Sequence, residues 1–116
     1  MTAQQSVVAA PDLVEAVKGV AYIEKLSDPT PASVSQYTEA AIGDVIEMLV
    51  STSTGSNWSS QRVLSQPLFP VIFDIPKSTF ANNLVSGATA NLRYTITKVG
   101  SPNVVTSPTL TVRLEP

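Results

Sequence analysis

The chain has 116 residues, a formal net charge of −2, no cysteine and no histidine, which excludes disulfides, thiolate sites and nucleophile–histidine catalysis and removes the commonest metal ligand. Its seven Lys and Arg form no cluster that would mark a nucleic-acid footprint, and no apolar run approaches the ~20 residues that cross a bilayer. Charged residues make up only 14% of the chain, against the usual quarter, and Ser and Thr take their place.

That balance, with nine prolines to confine to loops and strand edges, suits a β-rich extracellular module better than a helical cytoplasmic protein. Residues 1–10 are small and polar and read as a flexible lead; 11–116 read as a single domain. The lead has neither the basic nor the apolar region of a signal peptide, so export would use a signal elsewhere in a longer chain or another route. After Pro11, the stretch Asp12 to Lys18 fits a short helix capped by Asp12 or an edge strand, and Gly19 breaks either. Val20 to Leu26 reads as a strand ended by Asp28-Pro29-Thr30-Pro31. Ala32 to Ala41 reads as an exposed connection, with a short strand at Ser33 to Gln36 as its most ordered part.

Gly43-Asp44 delivers the chain into Val45-Ile46-Glu47-Met48-Leu49-Val50, whose apolar content marks a central strand. Ser51 to Ser60 is a Ser/Thr/Gly/Asn loop carrying the lone tryptophan, Trp58, and Gln61 to Gln66 reads as a weak edge strand. Leu68 to Ile75 is a strong strand with Val71, Phe73 and Ile75 on one side. Pro76 then opens a single helical turn whose Phe80 would plug the core. The last third alternates with period two: Leu92, Tyr94 and Ile96 on one face, Asn91, Arg93, Thr95 and Thr97 on the other. A Gly100-Ser101-Pro102-Asn103 turn follows, and after Pro108 the alternation resumes through Leu110, Val112 and Leu114. Two strands with one apolar face need a second layer to cover them. About seven short strands separated by turns predict an all-β, immunoglobulin-like antiparallel β-sandwich, with a small barrel as the competing architecture.

Gly43-Asp44 before a central strand, then Pro70-Val71-Ile72-Phe73-Asp74-Ile75-Pro76-Lys77-Ser78, then Leu92-Arg93-Tyr94-Thr95-Ile96-Thr97 and Ser107-Pro108-Thr109-Leu110-Thr111-Val112, resemble the immunoglobulin-like repeats of large bacterial surface and secreted proteins. The likeness covers roughly residues 43–114, with a fainter counterpart in Glu15-Ala16-Val17-Lys18-Gly19. It implies a structural setting outside the cell and carries over no catalytic residue.

The remaining chemistry is sparse. Glu39, Asp44 and Glu47, and Glu24 with Asp28, are near in sequence but read as solvated rim charges rather than the facing carboxylates of a glycosidase. No S-x-x-K spacing and no run of calcium-binding oxygens occurs, so no catalytic residue, metal ligand or cofactor is assigned. Asn57 and Trp58 are the candidate ligand contacts. An exposed indole would stack on a sugar or fill a partner's pocket, whereas an inward one would be a lid on the core, the reading we favour. Asn57-Trp58-Ser59 is also a formal glycosylation sequon. Tyr94 fits either a tyrosine corner or plain core, and Leu49 and Ile72 lie opposite their strands' better apolar sets. The expectation is a non-enzymatic module of a bacterial surface or secreted protein, extracellular or on the cell surface, serving as spacer or adhesion element. Its partners would be neighbouring repeat modules or a protein or carbohydrate surface, with no nucleic acid and no membrane insertion. The alternative is a free-standing carbohydrate- or receptor-binding protein, such as a virion or tail accessory domain.

Overall fold

The computed structural model describes residues 8–37, 40–66, 68–101 and 103–116. Its strands are β1 (Asp12–Leu13), β2 (Val20–Tyr22), β3 (Thr30–Val34), β4 (Val45–Thr52), β5 (Asn57–Val63), β6 (Val71–Ile75), β7 (Thr89–Thr97), β8 (Val104–Thr106) and β9 (Leu110–Glu115). Helical structure among the described residues is limited to a 3-10 turn at Ile23–Lys25 and the one-turn helix α1 (Lys77–Ala81) that follows Pro76. The strands form two sheets, β1-β3-β6 and β2-β9-β7-β4-β5, with β8 extending the second beside β7.

Period-two alternation sets the faces. Leu92, Tyr94 and Ile96 of β7 point inward with Ile46, Met48 and Val50 of β4 and with Val112 and Leu114 of β9. Ala32 and Val34 of β3 and Val71, Phe73 and Ile75 of β6 supply the facing layer, and all belong to one buried cluster. Each such Leu, Ile or Phe contributes about 1.5–3 kcal/mol by leaving water, the basis of a β-sandwich-like architecture. Phe80 is fully buried and closes one end, as the sequence predicts.

Two sequence expectations are corrected. The described strands number nine rather than about seven, and the larger sheet is mixed rather than antiparallel, because β2 runs parallel to β9 with Val20 beside Arg113 and Tyr22 beside Glu115. Both differences come from strands that break. The first breaks at a turn with positive φ at Lys18 and Gly19, so β1 joins one sheet and β2 the other. The last breaks at Ser107-Pro108-Thr109 into β8 and β9, both paired to β7.

Local readings shift as well. Residues 32–37 are not an exposed connection: Ala32, Val34 and Tyr37 are buried, because β3 alternates with small residues that carry little hydrophobic signal. Val20 to Leu26 keeps only three strand residues before the 3-10 turn. The open choice at Asp12 resolves to an edge strand, paired to Ser33 and Ala32. Ser51 to Ser60 is no loop either; Ser51 and Thr52 end β4, four residues turn, and Asn57 begins β5. Of the lead, Met1 to Val7 lie outside the described residues, while Val8 packs against the core.

Opposite faces of β7 are expected to respond differently to charge. Ile96 is 1% exposed, so Ile96→Asp buries a carboxylate without a partner and should remove most of a domain's ~5–15 kcal/mol of stability. Thr95→Asp, on the half-exposed outer face, should cost under ~1 kcal/mol in chemical denaturation. Equal losses would show that the outer face is covered as well.

Candidate functional site

Asn57 and Trp58 are neighbours on a strand and so point to opposite faces. The register pairs Trp58 with Val50, and Asn57 with Ser51. Trp58 therefore turns to the core side, where it is half-buried and packed against the central cluster. Asn57 is exposed on the outer side of the larger sheet. The two side chains leave the strand on opposite sides, yet both residues border one groove.

The outer side around Asn57 is concave. A solvent-open groove of about 520 Å³ lies there, lined by Leu49, Ser51, Asn57, Ser59, Asn91, Arg93 and Thr109, with the inward-turned residues Val50 and Trp58 also contributing to its wall. The register explains the grouping: Ser59, Leu49 and Arg93 form one cross-strand row, and Asn57, Ser51 and Asn91 the next. Leu49, an apolar residue on the outer side of β4, lies between Ser59 and Arg93 in the first of these rows. Thr111 Oγ1 donates to Asn91 Oδ1 at 2.7 Å, which fixes that amide with its NH2 group free to donate elsewhere.

The wall beside Arg93 is a β-bulge. Ser107 N–H donates to the Tyr94 carbonyl at 2.9 Å, and Leu110 pairs with Leu92. Two residues, Pro108 and Thr109, thus oppose Arg93 alone. Pro108 has no N–H to offer, and the Ser107 hydroxyl accepts the Tyr94 N–H at 2.9 Å in place of a strand carbonyl. Sequence reasoning missed this half of the groove, although a single cation on the polar side of a regular strand, opposite a Ser-Pro break, is a signal it could have used.

A second polar constellation lies inside the opposite end from Phe80. The Asp44 carboxylate is fully buried. Its Oδ2 accepts from Tyr37 Oη at 2.7 Å, Ala41 N at 3.1 Å and Lys98 Nζ at 2.9 Å, and its Oδ1 from Val99 N at 2.9 Å. Burial alone would raise its pKa; the Val99 amide, Lys98, the Tyr37 hydroxyl and the Ala41 amide outweigh that and lower it from 3.8 to about 2. Tyr37 is pushed far up by burial and by the carboxylate it donates to, so it stays a donor. Gly43, with φ +98, brings the backbone so close to Val99 that a Cβ would sit 2.9 Å from its methyl group. With four donors on two oxygens, this carboxylate is a clamp for loops.

Tyr94 is not a tyrosine corner, in which the hydroxyl bonds backbone a few residues upstream. Its Oη donates to the Ala9 carbonyl at 2.6 Å, 85 residues away in sequence. At an outer edge, Arg62 reaches inward from β5 and sets its guanidinium 5.2 Å from the Phe73 ring centre. Among the described residues no three His, Cys, Asp or Glu are grouped to hold a metal ion, and no helix is long and apolar enough to cross a membrane. No protein-family model, curated protein or solved structure matches the chain.

Two measurements check these placements. A depressed carboxylate pKa stabilises the fold above the unfolded value and loses that contribution as pH falls through 3.8 toward about 2. Stability should drop by roughly 2 kcal/mol over that window. In Asp44→Asn the drop should vanish, while stability at neutral pH falls because Lys98 and the amides keep no anion; an unchanged pH profile in this variant would refute the clamp. For the indole, inward placement means blue-shifted fluorescence and a loss of roughly 2 kcal/mol on Trp58→Ala. A red-shifted, freely quenched indole with a wild-type melting curve for that variant would place Trp58 in solvent.

Proposed function

We propose that this chain is a non-enzymatic immunoglobulin-like module of a bacterial surface or secreted protein, working outside the cell as a spacer or adhesion element between neighbouring modules. The order of strand pairing supports the fold name. Strands β1, β3 and β6 correspond to A, B and E of an immunoglobulin sandwich, and β4, β5, β7 and β9 to C, C′, F and G. The first strand's second piece, β2, crosses to lie beside G.

The observation that carries the spacer reading is where exposed apolar residues sit relative to the path of the chain. Ala9 is held at the level of Tyr94, and Glu115 lies two residues beyond the level of Thr89. The described chain therefore progresses by seven strand residues, roughly 23 Å at ~3.3 Å each, along a molecule whose longest dimension is 47 Å. The pole behind Ala9 carries the outer row Val63–Val45–Thr97–Val104, with Leu68 bordering the same depression as Val63 and Val99 packed on Gly43, next to Ile42. Ile42, Val63, Leu68, Val99 and Val104 are each more than half exposed. Apolar surface gathered at one pole is what an end-to-end contact uses. The half-buried packing of Trp58 against the core supports this reading, and the same residue also borders the outer groove.

Two copies joined in tandem should melt several degrees above a single copy and scatter X-rays as a rod. Val63→Ser with Leu68→Ser should erase that gain in the tandem while leaving the single copy's melting temperature within about 1 °C, as exposed substitutions usually do. A tandem that melts like the single copy and scatters as two freely jointed bodies would count against the spacer.

A further inference from the structure

The outer-face groove is separate from the apolar pole, since it lies toward the β4–β5 turn, at the other end of these strands from Val45 and Val63. We propose that it is a binding site for an anionic sugar, a carboxylated or sulfated residue of an oligosaccharide, with Arg93 as the residue that holds the anion. This stands whether or not the module is a spacer.

Three observations converge. The first is chemical. Ser51, Ser59, Asn57, Asn91 and Thr109 offer hydroxyls and amides that both donate and accept, which is the complement of a polyhydroxylated ring. Leu49 supplies one apolar patch between them, suited to a ring's C–H face. Among the described residues no carboxylate lines the groove, Glu47 standing one row away on the same face, so the guanidinium of Arg93 is its charge, and a guanidinium forks onto a carboxylate or sulfate with two parallel bonds.

The second is rigidity. Arg93 sits on β7 between β4 and β9, and its neighbours Leu49 and Ser59 follow in register on β4 and β5. Adjacent strands are ~4.8 Å apart and alternate residues ~6.8 Å, so the two rows cover about 10 by 7 Å, the footprint of one or two sugar rings. Sites on paired strands are held in place before a ligand arrives.

The third is the bulge. Pro108 and Thr109 face Arg93 two against one, and Ser107 turns its hydroxyl inward to replace the lost ladder bond. Bulges re-aim side chains next to sites, and this one puts Thr109 into the groove beside Arg93. A sheet that served only to cover a core has no need to interrupt its last strand there.

The test is titration of the whole chain, isotope-labelled, with oligogalacturonate, with a sulfated galactan oligosaccharide, with neutral oligogalactan and with poly-glutamate. Amide shifts at Asn57, Ser59, Arg93 and Thr109 should appear with the uronate or the sulfated sugar, whichever the site takes, and not with the neutral one. Arg93→Met should weaken that binding at least tenfold with an unchanged melting temperature, and Leu49→Asp should weaken it too. No binding by either acidic sugar, shifts elsewhere on the surface, or full affinity in Arg93→Met would overturn the proposal. Equal binding of poly-glutamate would overturn the assignment to a sugar. The tandem's melting and scattering depend on none of these outcomes.

Discussion

One buried carboxylate organises the pole on which the proposed end-to-end contact rests. Asp44 gathers the segment after β3 through Tyr37 and Ala41, and the segment after β7 through Lys98 and Val99. Its own carbonyl accepts the Leu64 N–H at 2.9 Å, so the end of β5 joins the same knot. These segments carry Ile42, Val63 and Val99, which would splay without a common anchor. An ion pair in the interior is a weak source of stability by itself, because desolvating both charges costs about as much as their attraction returns. Asp44 differs in that two backbone amides and a phenol share the charge and Lys98 remains partly exposed, with 24% of its side chain in contact with solvent. The energy is that of a hydrogen-bond network closed on all sides.

The sequence is legible where burial is one-sided and side chains are large. Leu92, Tyr94 and Ile96, or Val71, Phe73 and Ile75, declare their strands because each inward residue is unmistakably apolar. It is illegible where the inward residues are small, as in Thr30, Ala32 and Val34, or where the strand lies at an edge. Asn57-Trp58-Ser59-Ser60-Gln61-Arg62-Val63 has hydroxyls on both sides and the turn residue Gly55 just before it. Only pairing with β4 makes it a strand, and pairing is not local information. The count of strands failed for a related reason. Breaks at Gly19 and Pro108 were visible as turn chemistry, but whether the pieces stay in one sheet depends on partners distant in sequence.

The candidate site shows the same division. Asn57 and Trp58 were singled out by composition, which does not say which way a side chain faces. Once the strand is known, alternation turns the Trp58 side chain to the core side and Asn57 to the outer face, while both residues border the groove. Arg93, Leu49 and Asn91 could not be grouped without register, because they lie on β4 and β7, strands far apart in the chain. Asp44 reads as a rim charge in the sequence and is a buried one in the fold, since nothing in sequence marks the four donors that converge on it.

The surface is thus divided by the way the strands end and pair. Edges are the usual liability of a sheet, since their free N–H and C=O groups recruit other chains. Among the described residues β5 pairs only with β4, and it carries the exposed Arg62 on its inward side with the guanidinium against the Phe73 ring. A second strand added to that edge would have to accommodate this charge, so the edge is a poor template. With the edge guarded, contacts with other molecules fall to the apolar pole and to the polar outer face. A chain with so few charges can keep these two surfaces chemically distinct, because most of its polarity comes from Ser, Thr and Asn that satisfy themselves with neutral partners. Charge then acts locally, as in the Asp44–Lys98 pair inside the pole and in Arg93 among the neutral groups of the groove.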